Sequence, residues 1–199
     1  STYNMLAQAL DKSNEELLQR ALELHAHIYH TRHSGRICYS RSTYDDPVFF
    51  SDANLGAFRS TTGYVGYLAN GPVMAASRRQ RCTCLSSCEA ELVALSAATC
   101  DVIWLRIFLD ELGFRPAAPT PVHCDNTGAK AVAENPIAAR HLKHVARRHF
   151  FVQDAVRAGE VTVPFVASDA NLADLLTKSI CTPRFSQLAA RLRAWTMAC

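Results

Sequence analysis

Residues 61–77, TTGYVGYLANGPVMAAS, read as two β-prone runs joined at Asn70-Gly71. Asn-Gly between such runs is a strong hairpin signal, because both residues accept the left-handed backbone of a tight two-residue turn. Pro72 can open the returning strand without breaking a central ladder. Immediately upstream, residues 47–54 (PVFFSDAN) form a short apolar run closing on polar residues and an acid, the pattern of a buried strand. Three strands in succession predict a meander.

Downstream the period changes from two to about 3.6. Residues 88–112 place Leu92, Leu95, Ala98, Val102, Leu105 and Leu109 on one face. Ser86 or Ser87 can cap this helix, acids occupy its first turn, and Gly113 ends it. After the Pro-rich RPAAPTP come a short strand, PVHC, and a helix over NTGAKAVAEN that stops near Asn135-Pro136. A further helix is expected over about 140–158, closed by Gly159. Residues 160–168 (EVTVPFVAS) read as a strand, NLADLLTK opens a helix, and a last helix covers about 183–197. From Pro47 the order is therefore β-β-β-α-β-α-α-β-α. This predicts an α/β fold with a mixed five-stranded sheet, the first three strands an antiparallel meander, flanked by helices on both faces.

Residues 41–46 (RSTYDD) mark a boundary, dividing the chain into 1–45 and 46–199. Residues 14–31 form an amphipathic helix with Leu17, Leu18, Ala21, Leu22 and Ile28 near one face, opened by a Ser13/Glu16 capping box. RICYS, 36–40, looks like a short strand. His25, His27, His30 and His33 are crowded, but their spacing spreads them around the helix, so they read as surface side chains and not as metal ligands.

Of the 199 residues, 49% are hydrophobic and 20% charged, which provides a core and argues against wholesale disorder. No run of 18 or more apolar residues occurs, which argues against a membrane partner. The first residues lack the basic start and apolar stretch of a secretory signal. The eight cysteines are accordingly expected to be reduced thiols, and an intracellular, non-secreted location is expected. Cys82, Cys84 and Cys88 lack the paired spacing of a structural zinc site. The net charge of +3 is modest but uneven. Arg78, Arg79 and Arg81 sit together, as do Arg140, Lys143, Arg147 and Arg148, and either cluster could meet phosphate.

Four acids fall where this layout gathers side chains. Asp52 ends the first core strand, Glu91 lies in the first turn of the long helix, Asp125 follows PVHC, and Asp174 starts the helix after the last strand. Sites in open sheets collect at strand ends and helix starts. Magnesium wants oxygen ligands and keeps waters, leaving room for phosphate, whereas clustered carboxylates without metal repel one another and take up protons.

Five blocks then carry a family resemblance, in register from about residue 47 to 190. SDANLGAFRSTTGYVGYLANGPVMAASRRQ, LSSCEAELVALSAATCDVIWLRIFLDELG, VHCDNTGAKAVAENP, KHVARRHFFVQDAV and VPFVASDANLADLLTKSICTPRF together resemble the ribonuclease H domain of copia-type retrotransposon polyproteins. Residues 14–40 more weakly resemble the helix-and-strand connection that follows the polymerase in the same polyproteins.

The resemblance implies a ribonuclease H-like fold over 46–199 and a reverse transcriptase connection over 1–45. It implies a nuclease cutting the RNA strand of RNA–DNA hybrids with two Mg2+ ions, Mn2+ being an alternative. The reverse transcriptase portion of the same polyprotein is the implied protein partner, and a cytoplasmic virus-like particle or the nucleus the implied setting. Asp52, Glu91, Asp125 and Asp174 fall on the family's catalytic, metal-binding acids. Glu89 competes for the second position, but it stands about 200° around the helix from Glu91, so both cannot face one metal pair. Asp169, a plausible N-cap, is the alternative to Asp174. Arg78, Arg79, Arg81, Lys143, His144, Arg147 and Arg148 are the candidates to hold nucleic acid, and His144 or His149 could assist proton transfer.

Departures from the family pattern touch substrate contacts and none of these acids. The family often has Trp at Leu55, Thr at Cys88, Ser-Trp-Ser at Ala75-Ala76-Ser77, and an acid at Ala146. The rival reading is the same fold as an inactive relic or spacer that binds nucleic acid without cleaving it.

Overall fold

Val48–Asn54 (β1) is buried on both faces for most of its length, which makes it the middle strand. The computed structural model describes residues 15–33, 37, 39, 46–135 and 146–193, with only the backbone for 146–149 and 193. Thr61–Leu68 (β2) pairs antiparallel with β1, and Gly71–Arg79 (β3) pairs antiparallel with β2. Thr120–His123 (β4) joins the other side of β1 in parallel, and Val161–Thr162 (β5) joins β4 in parallel. The order β3-β2-β1-β4-β5 is the expected mixed five-stranded sheet with its meander.

The hairpin turn sits one residue earlier than the Asn-Gly signal indicates. Leu68 pairs with Gly71, and the left-handed residues are Ala69 (φ 51°) and Asn70 (φ 62°). Gly71 instead begins β3. Gly66 has a different use: a Cβ there would lie 2.4 Å from the ring of its cross-strand partner Phe49, which fills the space of the missing side chain.

The last strand is shorter than its nine-residue apolar run suggests. After Val161–Thr162 the contact with β4 continues only as a bridge from Cys124 to Phe165. Pro121 and Pro164 each lack an N–H, so the parallel ladder cannot run unbroken. The carbonyl of Pro164 still accepts from Cys124 N at 3.1 Å, and Val166 N returns a bond to Cys124 O at 3.1 Å.

Helices cover both faces. Ser87–Glu111 (α2), Thr127–Glu134 (α3) and Ala146–Arg157 (α4) build one core with Phe49, Tyr64 and Val122. The opposite core joins Val48, Phe50, Val65 and Tyr67 to Leu172, Ala173 and Leu188, the last on Thr182–Arg193 (α6). Asp174–Thr177 (α5) is a single turn between them. By length and composition α2 could cross a membrane, but Leu92, Leu95, Ala98 and Val102 are fully buried against the sheet as core. The N-terminal helix Glu15–Thr31 (α1) has no buried residue, and Leu18, Leu22 and Ile28 on its apolar side are exposed. Ser13 and most of the expected strand at 36–40 lie outside the described residues.

Candidate active site

β1 and β4 run parallel side by side, so their carboxyl ends open at the same edge of the sheet. Asp52 projects near the end of β1, and Asp125 follows β4 just before Asn126 caps α3 through its side chain to Ala129 N at 2.9 Å. Asp174 enters from the first turn of α5. Carboxylate oxygens of Asp52, Asp125 and Asp174 lie within 4.8 Å of one another. Glu91, from the first turns of α2, closes a second group of the same tightness with Asp125 and the thiol of Cys124. All four acids singled out from the sequence therefore meet at one edge.

The choice between neighbouring acids has a local cause. Ser86 caps α2, accepting from Glu89 N at 3.2 Å, and the Glu89 carboxylate accepts from Leu85 N at 2.6 Å. These bonds at the start of α2 occupy Glu89. Two residues on, Glu91 points to the cluster. Asp169 is exposed on the loop, whereas Asp174 is wholly buried.

Glycine at 63 sets how closely α5 approaches. It pairs with Asp52 across the ladder, and a Cβ there would fall 2.5 Å from Thr177 Cγ2 and 2.9 Å from Leu176 Cβ. Asn171, fully buried, donates to Ser51 O at 2.9 Å and accepts from Ala173 N at 3.1 Å, pinning the start of this turn to β1. Ser77 adds a bond from β3 to Leu176 O.

Three further residues dress the acids. The Thr177 hydroxyl donates to Asp52 Oδ2. Lys178 Nζ stands 2.7 Å from Asp174 Oδ1 and 3.7 Å from Asp52 Oδ2. Arg184, from α6, pairs with Asp174 Oδ2. Sequence reasoning gave Asn171, Thr177, Lys178 and Arg184 no role. Three of them stand in the NLADLLTK block, but residue type alone does not say which would turn toward Asp52.

Burial and mutual repulsion perturb the acids. Asp52 is pushed up to about 6, first by burial; the Thr177 hydroxyl opposes this, Asp174 adds to it, Lys178 opposes it, and Asp125 adds to it. Glu91 is pushed up to about 9 by burial, then by Asp52 and Asp125, against a backbone hydrogen bond at Ala53 and the charge of Lys178. Burial also works against the Lys178 ammonium. Its hydrogen bond to Asp174 and the charges of Asp52, Asp174 and Asp125 outweigh that, and its pKa is raised. Burial raises the Cys124 thiol strongly, and the neighbouring Glu91 carboxylate adds to this, so the thiol stays protonated.

These groups fit a divalent, oxygen-seeking cation. Glu91 Oε2 is buried with no hydrogen-bond partner, and a carboxylate oxygen of Glu91 lies within 4.8 Å of one of Asp125. An unpaired carboxylate oxygen in such company is costly until a cation meets it.

The basic candidates divide. Arg78, Arg79 and Arg81 line a cleft of about 280 Å³ between β2–β3 and α2, with Thr62, Tyr64 and Ser96. Arg78 donates to the Tyr64 hydroxyl at 2.8 Å, and that hydroxyl donates to Asp101 at 2.5 Å. Lys143 and His144 lie outside the described residues, as do the side chains of Arg147, Arg148 and His149 on the first turn of α4. His25, His27, His30 and His33 are exposed, and no group able to hold a metal is found there among the described residues.

No family model matches the chain. It is 30% identical over 193 residues to the retrovirus-related Pol polyprotein from transposon RE1 of Arabidopsis thaliana, covering 95% of this chain and 13% of that one. The corresponding polyprotein of transposon TNT 1-94 from Nicotiana tabacum is 29% identical over 155 residues, 75% of this chain and 11% of that one. Its homologues are retrovirus-related transposon Pol polyproteins. Its fold is that of ribonuclease H. The N-terminal RNase H domain of Rv2228c from Mycobacterium tuberculosis superposes with a TM-score of 0.50 at 14% identity, covering 73% of this chain and 96% of that one. A foamy viral protease-reverse transcriptase solved with an RNA/DNA hybrid also gives 0.50, at 15% identity over 86% of this chain and 21% of that one. This Pol-related ribonuclease H-like chain thus spans only a small part of the curated relatives it matches.

Proposed function

We propose that this chain hydrolyses the RNA strand of RNA–DNA hybrids in a reaction that depends on Mg2+ or Mn2+, as part of a reverse-transcribing polyprotein. One observation carries the reading: four carboxylates from four separate elements converge at one sheet edge, where burial, and then repulsion from Asp52 and Asp125, raises Glu91 to about 9. A fold gains nothing from such a cluster unless a cation resolves it. The relatives' polyprotein context and the fold's likeness to a reverse transcriptase solved with a hybrid support the substrate.

Asp52, Glu91, Asp125 and Asp174 would hold the cations. Bound there, two divalent ions can polarise an attacking water and neutralise charge on the departing oxygen. The protein's own contribution is orientation. Thr177 fixes the Asp52 carboxylate, the α3 cap fixes the backbone after Asp125, and Gly63 lets α5 press Asp174 inward. Arg78, Arg79 and Arg81 would hold backbone phosphates, with Lys143, His144, Arg147 and Arg148 as further contacts. Discrimination of RNA from DNA would rest on 2′-hydroxyls near the cut. We take residues 1–45 as a connection to the reverse transcriptase portion of the same polyprotein. The setting in this reading is inside the cell, in a virus-like particle or the nucleus.

The test is cleavage of a labelled RNA–DNA hybrid with Mg2+ or with EDTA, beside Asp52→Asn. Metal-dependent loss of the RNA strand, absent in the variant, is the expected result. A folded protein that binds hybrid and never cleaves it, even joined to its polymerase portion, would establish the inactive relic instead.

A further inference from the structure

The cluster has two sides, and they differ in charge. On the Asp52–Asp174 side, both carboxylates are buried and already matched by cations of the chain itself. Lys178 Nζ stands 2.7 Å from one oxygen of Asp174 and 3.7 Å from Asp52, and Arg184 takes the other oxygen of Asp174. Thr177 also donates to Asp52 Oδ2. On the Glu91–Asp125 side no cation of the protein pairs with either acid among the described residues, and Glu91 Oε2 lacks any partner. Asp125 is half-buried, so this side is open to solvent, whereas Asp174 shows no exposed surface at all.

The ammonium of Lys178 therefore stands where a second cation would meet Asp52 and Asp174. Its side chain is 35% exposed and tethered four residues after Asp174, so it can swing out on its flexible stem. Arg184 is less free, because its guanidinium also donates to Ser168 O. Resting on the metal-dependent reading above, we propose that Lys178 is a built-in competitor for one of two unequal cation seats. The seat on the Glu91–Asp125 side fills first, and the seat between Asp52 and Asp174 fills only by displacing the Lys178 ammonium. Lys178 is thus a residue that sets metal occupancy and not a ligand.

Mn2+ binding to the intact protein tests this without reference to turnover. In wild-type protein, titration followed by electron paramagnetic resonance should give one tight step and one distinctly weaker step. Lys178→Met keeps the stem and removes the charge, and should tighten the second step by about tenfold or more, the scale of changes around metal ligands. Lys178→Gln, neutral but still able to donate to Asp174, should shift it in the same direction. Circular dichroism establishes that each variant is folded. Two equal steps in wild-type protein would overturn the proposal, and so would a second step unchanged or weakened in both folded variants. If neither variant folds, the wild-type steps decide alone. Absence of any Mn2+ binding that Asp52→Asn abolishes would instead defeat the metal-dependent reading itself.

Discussion

Removing the charge of Glu91 should stabilise the metal-free protein, and the size of the effect follows from its surroundings. In an unfolded chain this carboxyl ionises near 4.5, whereas burial and the nearby Asp52 and Asp125 push it up to about 9 in the fold. A group whose folded pKa is raised contributes its full stability below the unfolded value and loses it as pH rises toward the folded one. Between pH 4.5 and 9, folding must therefore draw a proton onto Glu91. At pH 7 the cost is the 2.5-unit gap to 4.5 at about 1.4 kcal/mol each, or about 3.5 kcal/mol. Glu91→Gln is isosteric and has no such cost, and its amide can donate to the neighbouring carboxylates. Urea unfolding in EDTA should thus show the variant and wild type nearly equal at pH 4.5. The variant should gain on wild type at about 1.4 kcal/mol per pH unit up to about pH 8. Saturating Mg2+ should shrink or reverse the gap, because only the ionised carboxylate binds it. Parallel stability curves from pH 5 to 8 in EDTA would refute the assignment of Glu91 to the acid cluster.

Other expectations follow from single interactions. Gly63→Ala places a methyl 2.5 Å from Thr177 Cγ2, so it should cost about 1–3 kcal/mol by overpacking and depress cleavage by lifting α5 off β2; thermal unfolding equal to wild type would discount this close approach. Changing Arg78, Arg79 and Arg81 together to Ala should flatten the salt dependence of hybrid binding, read by fluorescence anisotropy, by up to about 0.9 in log–log slope for each phosphate that these side chains neutralise. An unaltered slope would remove the cleft from the binding surface. Ser86→Ala should cost about 1 kcal/mol through loss of the α2 cap, measured by urea unfolding. A loss much below that would mean Glu89 holds the turn without it.

Much of this arrangement was legible in the chain because it depends on local periodicity. The alternating runs around Asn70, the 3.6-residue stripe from Leu92 to Leu109, and the serine cap before it each act over a few neighbouring residues. Their order implied a mixed sheet, and a mixed sheet with parallel β1 and β4 brings Asp52 and Asp125 to one edge. The half-turn between Glu89 and Glu91 showed that only one of them could face the site, and the family resemblance favoured Glu91. Local signals also misled where neighbours intervened. The apolar run 160–168 keeps only two ladder residues because prolines on both sides of the pair withhold donors, and the left-handed turn residues are Ala69 and Asn70.

What only the tertiary structure decided is how the acids are balanced. Lys178 lies four residues beyond Asp174, but its approach to Asp52 spans 126 positions, and Arg184 reaches Asp174 from another helix. Gly63 is one glycine among eight until α5 is packed against it. The apolar pattern specifies which faces are buried, because the hydrophobic effect responds to area and not to partner identity. Carboxylates, ammonium groups and hydroxyls respond to distances of a few ångströms, and those distances exist only once the separate elements have been brought together.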